Sequence, residues 1–206
     1  ITKDNFNSAN AFFFRGIAYR NLDQPLRAIE EFDEALRLDP LHHLAYTHRG
    51  FTYWLLGQPQ RALADLDKAI KSYSEFAEGF SNRGFVHREL GDPQRAIKDL
   101  DRAITIQPEY PEAYNNRGLA YLDLGDYQQA VRDYDEAIRL SPTYVQAYVN
   151  RGAALVELGQ LERAVSDAER AINLDPQYTQ AYALRAIAYT MLGRDNEASS
   201  DLDQAV

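Results

Sequence analysis

Residues 111–144, PEAYNNRGLAYLDLGDYQQAVRDYDEAIRLSPTY, are one copy of a pattern that recurs along the chain every 34 residues. Gly16, Gly50, Gly84, Gly118 and Gly152 stand at that spacing, with Ala186 in the sixth position. Ala28, Ala62, Ala96, Ala130, Ala164 and Ala198 repeat it twelve residues later. When the copies are numbered from residues 9, 43, 77, 111, 145 and 179, place 4 is aromatic throughout: Phe12, Tyr46, Phe80, Tyr114, Tyr148 and Tyr182. Small residues hold places 8, 20 and 27, and large ones places 4, 11 and 24. A segment this short cannot bury its apolar face alone, so stability must come from stacking copy upon copy.

Within each copy the apolar residues of the first fourteen places follow helical spacing, as in Ala113, Tyr114, Gly118, Tyr121, Leu122 and Leu124. This predicts a helix A that stops at Gly57, Gly91, Gly125, Gly159 or Gly193, where a residue free to take positive φ is wanted, with Asp23 in that position of the first copy. Asp92 and Asp126 offer N-cap oxygens to a helix B, and Pro25, Pro59 and Pro93 fit its first turn, where a missing N–H costs nothing. Pro142 ends that helix in the fourth copy, because proline cannot continue the backbone ladder. Glycine at place 8 and alanine at place 20 leave room for the two helices to approach closely.

The period, the small residues at places 8, 20 and 27 and the prolines at place 32 (Pro40, Pro108, Pro142, Pro176) resemble the tetratricopeptide repeat. The resemblance implies an all-α, right-handed solenoid of antiparallel helix pairs, a superhelical array that works as a protein-interaction scaffold. It covers residues 9–206 as one array whose last copy stops at place 28, preceded by a lead-in of residues 1–8 that lacks the pattern and is expected to be the least ordered part. The chain opens at Ile1 without methionine, so it reads as part of a longer protein.

A net charge of -9 and a pI near 4.9 repel phosphate backbones, which argues against nucleic acid as a partner and favours basic or neutral ones. No apolar stretch approaches the roughly 20 residues that span a bilayer, so no membrane insertion is expected. With no cysteine there is no disulfide, thiolate nucleophile or thiolate metal site, a composition that fits a reducing compartment such as the cytoplasm. His42, His43 and His48 lie close in sequence, but the first two fall in a turn and the third a helical turn later, so they do not converge as metal ligands must. No phosphate-binding glycine loop and no serine–histidine set is present, and the acidic pairs recur in every copy. The chain is therefore expected to have no catalytic residues, metal or cofactor.

Arginine occupies place 7 of every copy: Arg15, Arg49, Arg83, Arg117, Arg151 and Arg185. Sixteen residues on, at the same height of an antiparallel pair, stands Glu31, Asp65, Asp99, Asp133, Asp167 or Asp201. Structural ion pairs are expected between them, Arg49 with Asp65, Arg83 with Asp99, Arg117 with Asp133 and Arg151 with Asp167. A second acid at place 25 (Asp33, Asp67, Asp101, Asp135, Glu169, Asp203) offers a further partner toward the following copy.

The face of helix A left over from packing, places 2, 5, 6, 9, 12 and 13, lines the concave side in this family. Here it would present Phe13, Phe14, Phe51, Trp54, Phe85, Arg88, Asn115, Leu119 and Leu184, with a row of asparagines at place 6: Asn82, Asn116 and Asn150. That row resembles the asparagine ladders of repeat arrays that hold extended peptides by their backbone. Arrays that grip a carboxylate tail carry lysine at place 5 and asparagine at place 9, where this chain has Phe13, Thr47 and Ser81 and then Ile17, Phe51 and Phe85. The expected function is to bind a peptide or protein segment on the concave face. The alternatives are a structural array that associates with copies of itself through its apolar ends (Leu202, Ala205, Val206), and a regulatory arm of a larger enzyme.

Overall fold

The computed structural model describes residues 3–205, with side chains from Ser8 onward. Those residues form helices and turns, arranged as two compact bodies, residues 1–108 and 109–206. The first holds α1 (Lys3–Asn21), α2 (Pro25–Leu38), α3 (His43–Leu55), α4 (Pro59–Ser72), α5 (Ala77–Glu89) and α6 (Pro93–Ile106). The second holds α7 (Pro111–Asp123), α8 (Tyr127–Leu140), α9 (Val145–Glu157), α10 (Leu161–Leu174), α11 (Thr179–Met191) and α12 (Asp195–Gln204). Odd-numbered helices are the A helices of the repeat and even-numbered ones the B helices. Helix α1 begins at Lys3, so the residues read as a lead-in run largely within it. The expectation that residues 1–8 are the least ordered part falls mostly on Ile1 and Thr2 and on side chains 3–7, which lie outside the described residues.

The turns follow from local chemistry. At the end of α5, Gly91 takes φ +76°, its N–H donates to the Arg88 carbonyl at 2.8 Å, and Asp92 N–H donates to His87 O at 2.9 Å. These two bonds satisfy carbonyls that the helix leaves open, and they reverse the chain. Asp23 adopts the same conformation at φ 55° after α1, the one non-glycine with positive φ among the described residues. Asp92 Oδ1 then accepts from Arg95 N–H at 3.0 Å and Asp126 Oδ1 from Gln129 N–H at 3.1 Å, capping α6 and α8. Pro25, Pro59 and Pro93 sit at the first residue of α2, α4 and α6.

The B helices bury one stripe each, such as Ala96, Asp99, Leu100 and Ala103 in α6. The A helices are buried on more than one side, and small residues make this possible: α5 packs on α3, α4 and α6 through Ala77, Gly79, Ser81, Gly84 and Val86. A Cβ added at Gly84 would lie 2.9 Å from Leu100 Cγ and 3.1 Å from the Ala96 carbonyl oxygen. Place 8 is therefore where two backbones nearly touch. In the first body the core runs through Phe13, Phe32, Leu36, Tyr53, Leu66 and Val86, and in the second through Val131, Tyr134, Leu155, Val165 and Tyr189.

Candidate functional site

The frame of each helix pair is pinned by the arginine at place 7. Arg83 Nε and Nη2 donate to the two carboxylate oxygens of Asp99 at 2.8 and 2.6 Å, and Arg117 and Arg151 do the same to Asp133 and Asp167. The remaining nitrogen turns to the preceding repeat: Arg83 Nη1 reaches Asp67 at 2.7 Å and Arg151 Nη1 reaches Asp135 at 2.6 Å, while Arg49 reaches Asp33. Each guanidinium also lies over the place-4 ring of its own helix, at 5.6 Å for Arg83 over Phe80 and Arg151 over Tyr148. The bond to Asp99 is the largest influence on Arg83 and raises its pKa against the opposing effect of burial. Arg15 departs from this pattern: Glu31 meets it through a single contact at 2.7 Å, and the Arg15 side chain is largely exposed.

With the arginines committed to the frame, the inner faces of the A helices remain. In the first body, Phe51, Trp54 and Phe85 are half-buried and pack in series, Phe51 to Trp54 at 5.4 Å and Trp54 edge-on to Phe85 at 4.8 Å. Beside them a recess of about 210 Å³ is lined by Arg20, Thr47, His48, Phe51, Glu78 and Asn82. Arg20 Nη1 donates to His48 Nδ1 at 2.9 Å. A guanidinium has only donors, so that ring nitrogen carries no proton and the imidazole is neutral. Burial first, then the nearby Arg20 and His42, push the His48 pKa down to about 4. Burial raises the Glu78 pKa, opposed by a hydrogen bond from Asn82 and by the charge of Arg20. Asn82 thus turns its amide N–H toward Glu78. Arg88 is paired at 3.0 Å with Glu89.

In the second body, Asn116, Asn150 and Leu119 are half-buried on the A helices. Asn115 is a correction to the sequence reading: it is 4% exposed and presents no surface to a ligand. Its Oδ1 accepts from Asn150 Nδ2 at 2.9 Å, so it fixes the orientation of its neighbour on the next repeat. Place 5 points into the interface between successive A helices, which also buries Phe13, Thr47 and Ser81. Phe13 packs on Phe32, His42 and His48. Leu184, read as surface, is buried as well, its Cδ2 packed against Gly152 where a Cβ would otherwise stand.

Arg20, His48 and Glu78 were not singled out together by the sequence. Arg20 stands at place 12, the same register as Trp54, and that was the available signal. Among the histidines, His42 caps α3 by accepting from Ala45 N–H, and its Nε2 lies 3.2 Å from Asn10 Oδ1. Among the described residues no group of three or more His, Asp or Glu side chains is placed to hold a metal, and no helix is long and apolar enough to cross a membrane. Ile187, Met191 and Leu202 are exposed around a shallow apolar recess in the second body, while Val206 lies outside the described residues.

Models of the tetratricopeptide repeat match residues 15–75, 111–144 and 133–166, and a TPR repeat model matches residues 86–125. No curated protein matches. Among solved structures, the Cut9–Hcn1 heterotetramer of the APC/C superposes with a TM-score of 0.87 at 18% identity, over 96% of this chain and 39% of that one. This chain therefore spans well under half of that protein's length. PilF of Pseudomonas aeruginosa gives 0.86 at 20% identity, over 97% and 90%. YrrB, described as a TPR protein with an unusual peptide-binding site, gives 0.63 at 23% identity, over 82% and 88%. At these identities the likeness speaks for the fold, and the repeat matches speak for the family. The chain belongs to the tetratricopeptide repeat family, an all-α solenoid fold whose members generally serve as scaffolds for protein–protein interaction.

Proposed function

We propose that the chain binds a peptide or protein segment along the inner faces of its A helices and performs no chemistry on it. One observation carries this reading. Phe51, Trp54 and Phe85 stay half-exposed while Phe32, Tyr134 and the other core rings are buried, and they adjoin a recess of polar groups around Asn82. Aromatic surface beside fixed amides suits a ligand that is apolar in its side chains and polar in its backbone. Asn82 and Asn150 support this, because each is oriented by a neighbour through an amide N–H. That one structural neighbour, YrrB, is described as having a peptide-binding site adds to the case.

Peptides selected from a displayed random library on the intact chain test the reading. Trp54 is the only tryptophan, so its fluorescence reports occupancy of the first body directly. Exchanging Asn82 for alanine should weaken a peptide selected on the first body, and exchanging Asn116 and Asn150 one selected on the second, at ~0.5–1.5 kcal/mol per amide, without altering the melting profile by more than a few degrees. Unchanged affinity would move the site to the outer helices, and selection that yields no peptide while the chain forms concentration-dependent oligomers would favour self-association.

A further inference from the structure

The recess between α1, α3 and α5 brings unlike polar groups to one small volume. It holds one guanidinium (Arg20), one carboxylate (Glu78), a neutral imidazole (His48), an amide (Asn82), a hydroxyl (Thr47) and one aromatic wall (Phe51). Among the described residues the other inward-facing arginine of this body, Arg88, has a carboxylate at 3.0 Å, whereas Arg20 has no carboxylate within salt-bridge distance and bonds only to His48 at 2.9 Å. Its remaining N–H groups and the free oxygen sites of Glu78 therefore face the same small volume without a mutual ion pair. Burial acts on both, lowering the Arg20 pKa and raising that of Glu78, so neither charge is fully solvated.

We infer that this recess receives the carboxamide of a glutamine or asparagine side chain carried by the bound segment, with its carbonyl oxygen on Arg20 and its amide N–H on Glu78. This rests on the reading of the inner face as a peptide site. The argument is one of charge and donor complementarity. A carboxylate would meet Arg20 well but would lie against Glu78, and an ammonium would meet Glu78 but lie against Arg20. An apolar side chain would strip water from both and replace no hydrogen bond. A primary amide is the neutral group that offers an acceptor and two donors from one planar end, and the recess of about 210 Å³ takes a side chain and not a helix. The ring of Phe51, which Arg20 already overlies at 5.7 Å, supplies a flat apolar wall for the methylene stem.

Blocked peptides Ala-Ala-X-Ala-Ala, with X as Gln, Glu, Lys or Leu, titrated into the isotope-labelled chain would decide the matter. The expected result is that the Gln peptide shifts the Arg20 Nε–H and Asn82 side-chain signals with a Kd at least fivefold below the other three. Two exchanges give the proposal an internal control. Arg20→Met should move the preference to the Lys peptide, and Glu78→Gln should move it to the Glu peptide, with Trp54 fluorescence and circular dichroism verifying that each variant is folded. Equal binding of all four peptides, or preference for Glu, Lys or Leu in the unaltered chain, overturns the amide assignment while leaving the inner face as the peptide site. Shifts confined to the outer helices, or no shifts with any peptide, would remove the peptide-site reading as well.

Discussion

Arg49 and Asp65 face each other as a fork, with Arg49 Nε 2.7 Å from Asp65 Oδ2 and Nη2 2.7 Å from Oδ1, and the aspartate only 3% exposed. Two parallel charge-assisted bonds fix the height of α3 against α4 in a way one contact could not. Replacing a buried pair by apolar residues can be neutral, whereas removing one partner leaves a charge without its counterpart. Arg49→Ala is therefore expected to cost ~3–5 kcal/mol, and Arg132→Ala, on the exposed side of α8, less than about 0.5 kcal/mol. Urea unfolding of the two variants checks this, and equal midpoints would show that the fork contributes nothing.

Close backbone approach predicts a different kind of loss at Gly118. A Cβ there would come within 2.6 Å of Tyr134 Cε1, and Tyr134 is fully buried. Gly118→Ala should destabilise the chain by ~1–3 kcal/mol through overpacking, despite alanine's better helix propensity. Ala186 holds the same place in the sixth repeat without difficulty, because the place-24 residue there is the exposed Leu202 and not a buried ring. A thermal melt of Gly118→Ala that matches the unaltered chain would show that the ring can move aside.

Asp23 presents the reverse opportunity. It takes φ 55° at a helix end where the other five repeats have glycine, and its side chain is exposed. An L-residue in that conformation costs roughly 1–2 kcal/mol, which glycine avoids at some expense in chain entropy. Asp23→Gly should raise stability by ~0.5–1 kcal/mol, visible as a higher urea midpoint.

His48 ties stability to pH. Its pKa falls from the ordinary histidine value of 6.5 to about 4 in the folded chain, because burial and Arg20 both oppose its charge. The unfolded chain then binds more protons than the folded one between those values. This contribution is complete above about pH 6.5 and is lost as pH falls toward 4, by about 2 kcal/mol at pH 4.5. Carboxylates of the arginine forks also titrate on acidification, so the informative quantity is a difference. Between pH 7.5 and 4.5, His48→Gln should lose about 2 kcal/mol less than the unaltered chain. Parallel losses in the two proteins would show that His48 is solvated.

The helix boundaries were legible in the sequence because the signals that set them are local. Glycine at a helix end, aspartate before a first turn and proline within it act through their own φ and side-chain reach, and a spacing of 34 residues repeats them until chance is excluded. The arginine at place 7 and the acid at place 23 could also be matched from sequence, since a short turn between antiparallel helices fixes which places share a height.

Tertiary structure decided which of two adjacent residues faces outward. Asn115 and Asn116 are the same residue one position apart, yet the first is buried beneath Asn150 and the second is half-exposed, since about 100° of helix rotation separates them and only the packing of the next A helix says where the interface falls. The recess depended on it entirely. Arg20 and His48 are 28 residues apart, and Glu78 lies on a third helix. Nothing local predisposes these side chains to meet, so their neutral, dipolar pocket exists only once α1, α3 and α5 are stacked.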